Sequence, residues 1–249
     1  MGADDSQGVS KEAVYARTER EMAAQLAPAR WSPRQKLALA ARILAKEGHS
    51  AGLAGQLTCR EDAASFWTLA FGSGFDEATA ASSIRIDHQM NVIEGAGMPN
   101  PANRFHAWIY RARPDAGAII HTHSPWASAL AMIGEPLEVA HMDATVLYED
   151  VAYLADWPGV PVADEEGRII AQALGAKRAI LLAHHGLLTL GATIEEAAVL
   201  AVFFERAAAL HMRARAVGTI KPIPPAHARE SHDFLLKPLV VAATFQYFA

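Results

Sequence analysis

Two short apolar runs, each ending in histidines, constrain this chain more than any other feature. Ala118-Ile119-Ile120 leads into His121-Thr122-His123, and Ile180-Leu181-Leu182-Ala183 leads into His184-His185-Gly186. Short apolar runs closed by polar or glycine residues read as interior strands. Side chains alternate across a strand, so His121 and His123, at i and i+2, point to the same side, with Cα atoms roughly 7 Å apart. That reach suits one metal ion, for which neutral imidazole is a common ligand. A turn at the end of the second strand would lift its histidine toward a pair on a neighbouring strand. Three protein ligands leave positions open for substrate or water, the catalytic rather than the structural pattern. Spacing alone leaves a second reading open. His-x-His also occurs as ordinary surface or core packing, and His-His-Gly is weaker still.

Around these runs the chain alternates helix and strand signals. Residues 1–30 are charged and Ala-rich without a sustained apolar stripe, and read as an N-terminal arm or partly ordered extension. Ser32 as N-cap and Pro33 at the first helical position open a helix with Leu37, Ala41 and Leu44 on one face, stopped by Gly48. Residues 55–60, 66–71, 84–87 and 92–94 read as strands. Asn100 and Pro101 open a helix carrying Phe105, Trp108 and Ile109. Residues 125–133 and 165–174 read as helices and 146–153 as extended. A capping box, Thr193 with Glu196, begins a helix running to about Val217 and closed by Gly218. A Pro-rich turn at 222–225 leads to an amphipathic tail over 233–249. No repeat or composition break divides the chain, so residues 31–249 read as one domain.

Composition excludes several classes of partner. The 249 residues are 51% hydrophobic, enough for a sizeable core, and carry a net charge of −5. Lys and Arg form no stripe, so nucleic acid has no electrostatic footprint. No run of about 18 apolar residues is present for a membrane span. Residues 1–8 lack the basic and apolar regions of a secretory signal. Met1-Gly2 with Ser6 formally fits a myristoylation pattern, one short enough to be matched by chance. A lone cysteine, Cys59, suits a reducing compartment and reads as a small buried hydrophobe; a cytoplasmic location is expected.

Further motifs join the histidines into a recognisable set. Arg104-Phe105-His106, Tyr110, Arg113-Pro114-Asp115, Ile120 to Ser124, Leu181 to Leu187, Gly191 and Glu195-Glu196-Ala197 resemble, in order and separation over about residues 32–220, the class II aldolase/adducin superfamily. The resemblance implies a three-layer α/β/α single domain around a mixed, largely antiparallel sheet, assembled as a homotetramer with sites between subunits. It implies one divalent metal ion per subunit, zinc first and manganese, iron, cobalt or magnesium otherwise. The ligands map onto His121, His123 and His185, with His184 at a position that varies in such enzymes.

Departures from the pattern bear on the reaction. A Ser-Ser-Glu in the sugar-phosphate aldolases is replaced here by Asn100-Pro101-Ala102, removing the general acid/base and two phosphate-holding serines. Their Gly-Asn phosphate contact reads Gly55-Gln56, and a tyrosine lent to the neighbouring subunit aligns near Met142, beside His141. The expectation is a metal-dependent carbon–carbon lyase acting on a small, non-phosphorylated hydroxy or keto acid or a hydroxylated aromatic acid. Retro-aldol cleavage needs a base for the substrate hydroxyl. Decarboxylation does not, so the missing glutamate tilts the reading toward it. His106 and His141 are candidates for proton transfer, with Asp143 a possible orienting partner, and Gln56 and Arg104 for substrate contact. Each has a packing or surface alternative. The competing classes are a non-catalytic scaffold like the adducin head and an iron-dependent oxygenase using the same histidines.

Overall fold

The structure is a computed structural model that describes residues 8–50 and 52–249. The myristoylation pattern and the first residues of the arm therefore lie outside the described residues. Among the described residues eight strands form one sheet: β1 (Gln56–Arg60), β2 (Ser65–Leu69), β3 (Ser83–Asp87), β4 (Val92–Glu94), β5 (Ala118–Thr122), β6 (Val151–Leu154), β7 (Ala179–Leu182) and β8 (Gly186–Gly191). Their order is β4-β3-β2-β1-β5-β8-β7-β6, and among the described residues only the β6–β7 pair is parallel. The sheet is mixed and largely antiparallel, as the family pattern implies.

Burial with a period of two on both sides of the sheet builds two cores. Phe66, Ile119, Ile180, Leu182, Leu188 and Leu190 face one side and pack with Phe105, Ile109 and Tyr110 of α3 (Asn103–Ala112) and Ile170 and Leu174 of α5 (Asp164–Leu174). Trp67, Leu69, Ala118, Ile120, Leu181 and Leu187 face the other. There they meet α2 (Pro33–Lys46), α4 (Pro125–Met132), α6 (Ile194–Val217) and α8 (Pro238–Phe248). Three layers follow because the sheet is apolar on both faces. Burying each large side chain such as Leu37, Leu44 or Phe204 contributes about 1.5–3 kcal/mol.

Helix boundaries follow local chemistry where caps are strong. Ser32 and Gln35 make a reciprocal capping box at α2, and Thr193 accepts from the Glu196 N–H at α6, which runs to Val217 with Gly218 as C-cap. Three regions differ from expectation. Residues 186–191, unassigned from the sequence, form β8, an interior strand between β5 and β7. Residues 142–147 wind into a 3-10 turn that takes in Val146 and Leu147, the start of the 146–153 stretch expected to be extended, because the Thr145 hydroxyl donates to the Met142 carbonyl at 2.6 Å and Val146 and Leu147 bury beneath the turn. The tail is two helices, α7 (Pro225–Leu235) and α8, because Pro238 bars Lys237 from helical backbone. Within the arm, Lys11–Gln25 forms α1, capped by Ser10 and burying no residue; Tyr15 stacks on Phe234 at 5.1 Å and donates to Glu230 at 3.0 Å. No helix among the described residues is long and apolar enough to cross a membrane.

Candidate metal centre

Strand register brings the three histidines together. β5 and β8 pair so that His121 stands opposite Leu188, and β7 turns into β8 through Ala183-His184-His185. His184 takes φ +57°, a left-handed backbone that histidine tolerates better than most residues, and its N–H donates to the Ala131 carbonyl at 3.3 Å. The tight turn leaves His185 beside the pair. One ligand nitrogen from each of His121, His123 and His185 lies within 4.8 Å of the others, and the ring centroids are 4.6–5.0 Å apart. Modest side-chain rotation brings that spread to the roughly 3.4 Å spacing of ligands around one small cation. Gly186 makes the approach possible, since a Cβ there would drive into the Thr122 carbonyl oxygen and crowd the His123 ring.

Protonation states suit a cation. His121 Nδ1–H donates to the Leu187 carbonyl at 2.7 Å, which fixes the tautomer and turns the Nε2 lone pair toward the cluster. Its Nε2 stands 3.1 Å from Nε2 of His123, close enough to share a proton or an ion. Burial, then the neighbouring His185 and His123, hold His121 well below the usual histidine range. Burial also lowers His123, and burial followed by His123 lowers His185 to about 4. At neutral pH all three are uncharged, the form that ligates metal. These residues fit a divalent ion.

A shelf of polar side chains lies along the sheet face beside His121. Gln56 is its register partner on β1, 6% exposed, with Oε1 lacking a hydrogen-bond partner among the described residues. Beyond Gln56 is a cavity of about 30 Å³ lined by Thr68, Phe71, Phe75 and Asn100 and, among the described residues, by no Lys or Arg. Asn100 is occupied locally, donating to the Leu53 carbonyl and accepting from Ala102 N–H. Ala102 packs at the start of α3 against the α3-side core, so nothing at that place moves a proton. His106 is fully enclosed. Its Nδ1 meets the Thr58 hydroxyl at 2.8 Å, a hub shared with Tyr110 at 2.9 Å, and its Nε2 has no partner among the described residues. Burial alone pushes His106 down to about 3, so it is neutral at pH 7.

The remaining candidates stand elsewhere. Arg104 pairs with Asp164 of α5 at 3.5 Å and makes no hydrogen bond or ion pair with the three histidines. His141 is exposed, accepts from the Asp143 N–H at 3.3 Å, and with His211 lines a separate cavity of about 220 Å³ against α6. Two residues not read from the sequence as site components join the centre. Trp157 sits with its ring 6.3 Å from that of His185, and Phe105 packs edge-on to His121 at 5.3 Å. Phe105 was legible as a core residue; Trp157 carries no local signal beyond being a tryptophan in a Pro- and Gly-rich loop.

Comparison with known proteins accords with this geometry. Residues 35–212 match the model of the class II aldolase and adducin N-terminal domain. The chain belongs to that family. It is 34% identical over 197 residues, 77% of its length and 71% of the other's, to a 4-hydroxy-3-prenylphenylpyruvate oxygenase/4-hydroxy-3-prenylbenzoate synthase of Streptomyces roseochromogenus subsp. oscitans. It is also 34% identical over 197 residues, 77% of this chain and 73% of the relative, to the decarboxylase NovR of Streptomyces niveus. Among solved structures it superimposes on L-fuculose 1-phosphate aldolase from Glaciozyma antarctica with a TM-score of 0.81 and 31% identity, over 91% of this chain and 95% of that one.

Proposed function

We propose that this family member is a divalent-metal-dependent carbon–carbon lyase that decarboxylates a small, non-phosphorylated acid, either a hydroxylated aromatic acid or a short hydroxy or keto acid. The observation that carries this reading is the convergence of three neutral histidines, and the family resemblance, which sets Ala102 where the aldolases carry a glutamate, supports it. His121, His123 and His185 would hold the ion, zinc first among the candidates. A divalent cation bound there supplies Lewis acidity to substrate carboxylate and carbonyl oxygens.

The chain's own residues do the rest. The Leu187 carbonyl holds His121 in the ligating tautomer. Gln56 offers an unpaired amide oxygen to a substrate hydroxyl, next to a cavity with room for about two waters and no cation for a phosphate. His106, neutral and linked through Thr58 to Tyr110, offers Nε2 as a hydrogen-bonding group under the site rather than as an imidazolium acid. Loss of carbon dioxide requires no base for a substrate alcohol, which is consistent with Ala102; the electron pair of the broken carbon–carboxyl bond stays on carbon, which takes a proton from solvent water. His141 lies away from the triad within one chain, and would reach a site only across a subunit boundary in a homotetramer. Arg104, held by Asp164, would meet a substrate carboxylate only by leaving that partner.

Names of relatives support the assignment, one being a decarboxylase and another an oxygenase/synthase acting on a prenylated hydroxyphenylpyruvate. The second name favours an iron-dependent oxygenase as the alternative reading, because a three-histidine site also leaves positions for dioxygen. An adducin-like scaffold has no need of the intact, neutral triad. The deciding experiment screens metal-loaded protein against hydroxylated aromatic acids and short keto and hydroxy acids, following carbon dioxide with and without oxygen. Release under anaerobic conditions is the expected result. Strict dependence on oxygen would replace the lyase with the oxygenase, and no turnover with stoichiometric metal would count against both.

A further inference from the structure

Four of the five tryptophans are settled within the fold. Trp67 is buried and donates to Glu61 at 2.6 Å, and Trp108 donates to Asp164 at 3.0 Å. Trp126 lies under Arg213 at 4.9 Å, and Trp31 packs edge-on to Phe245 at 6.1 Å. Trp157 is different. It is 47% exposed, and the one ring stacked near it among the described residues is His185. An indole left half in water forgoes much of the burial that normally fixes a tryptophan, so its place beside the triad calls for an explanation.

The local chain brings the loop that carries this ring to the triad. Residues 155–163 connect β6 to α5 and contain Pro158 and Pro161, which fix φ and reduce the freedom of the loop. Immediately before it, the Leu154 carbonyl accepts from Ala183 N–H at 2.9 Å, two residues ahead of His185. The start of the loop bearing Trp157 and the turn bearing His185 are thereby tied together, and the two rings stand 6.3 Å apart at a 50° tilt.

We propose that Trp157 is a specificity-determining wall of the substrate site, stacking on the ring of an aromatic acid whose carboxyl end lies at the histidine triad. The inference rests on the acid-lyase reading above and narrows its substrate class. Aromatic pairs favour offset or tilted arrangements with centroids 4.5–7 Å apart, and the open side of the indole is available for that contact. A short aliphatic acid would fill the triad end and leave the indole untouched. Val160 and Val162 are also exposed on this loop, so contact with a second copy of the chain is the rival use of the same surface.

The test measures binding, not turnover. Cobalt-loaded wild type, Trp157→Phe and Trp157→Ala are titrated with 4-hydroxybenzoate and with pyruvate, following cobalt absorption and tryptophan emission; molar mass is measured on the same samples. Expected for 4-hydroxybenzoate is affinity within about threefold of wild type in Trp157→Phe and roughly tenfold weaker in Trp157→Ala. Emission quenching should be lost in both variants, and pyruvate affinity should be unchanged. Equal affinity of wild type and Trp157→Ala for 4-hydroxybenzoate overturns the wall, as does a change in molar mass without a change in affinity. Binding of pyruvate but not of the aromatic acid to wild type overturns the wall and leaves the lyase standing. Binding of neither acid to cobalt-loaded protein overturns both.

Discussion

His121 and His141 lie 20 residues apart in one chain, and the structure treats them in opposite ways. His121 is 1% exposed, bonded to a main-chain carbonyl and packed against two other imidazoles. His141 is exposed at the head of a 3-10 turn, with Asp143 as its local partner and a different cavity behind it. The lesson concerns what strand pairing supplies. A side chain at a strand end inherits the register of the whole sheet, so residues distant in sequence meet at a defined place. A side chain on a capped turn inherits only its own cap.

The sharpest break between the two regions is metal retention. His121→Ala and His185→Ala are expected to fall from about one bound ion per chain to almost none with circular dichroism unchanged, whereas His141→Ala retains the full complement. Elemental analysis after dialysis reads this directly, and equal losses in all three variants would erase the distinction.

Acid should separate buried from exposed histidines next. His49, bonded to Thr122 at 2.9 Å on the opposite face of the sheet, is held by burial at about 3, as is His106. Both are lowered in the fold, so the unfolded chain takes up protons first as pH falls. Their contribution is complete above about pH 6.5 and is lost on descending toward 3, at about 1.4 kcal/mol per pH unit for each group. Urea midpoints of metal-free protein should drop steeply from pH 6.5 to 4.5, and His49→Gln should flatten that slope. A level profile would mean these rings already titrate as they do in water.

Smaller effects test the sheet itself. Gly186→Ala forces β5 and β8 apart where they meet, and is expected to cost about 3 kcal/mol and to weaken cobalt binding. Gly218→Ala, with open space around it, should change neither. Thr58→Val removes the hydroxyl that serves both His106 and Tyr110, at a cost of about 1–3 kcal/mol with metal content unaltered. Thermal melts and metal analysis on the same preparations distinguish these outcomes.

Much of this was legible before any coordinates. Thr193, Glu196 and Gly218 delimit α6 because a helix end is a local hydrogen-bonding problem with a local solution. The His-x-His pair was legible because a strand's period of two is local as well. β8 was not, since its turn uses His184 in a left-handed conformation where a glycine or asparagine would have advertised it. The 142–147 turn was hidden because Thr145 and Val146 favour strands in isolation, and burial beneath the turn overrides that preference. Trp157 was beyond reach for a related reason. Its neighbour in space, His185, comes from a different strand end, brought near where the Leu154 carbonyl accepts from Ala183 N–H, and no pattern in either segment announces that meeting.

The acceptor for His121 Nδ1 belongs to the peptide group of Leu187. No single codon change can delete a main-chain oxygen, so drift at position 187 alters bulk without abolishing the contact. A lineage carrying this arrangement can exchange the residues that surround its substrate while the basicity and aim of one imidazole persist. Descendants of such an ancestor could change chemistry many times and keep the same anchor.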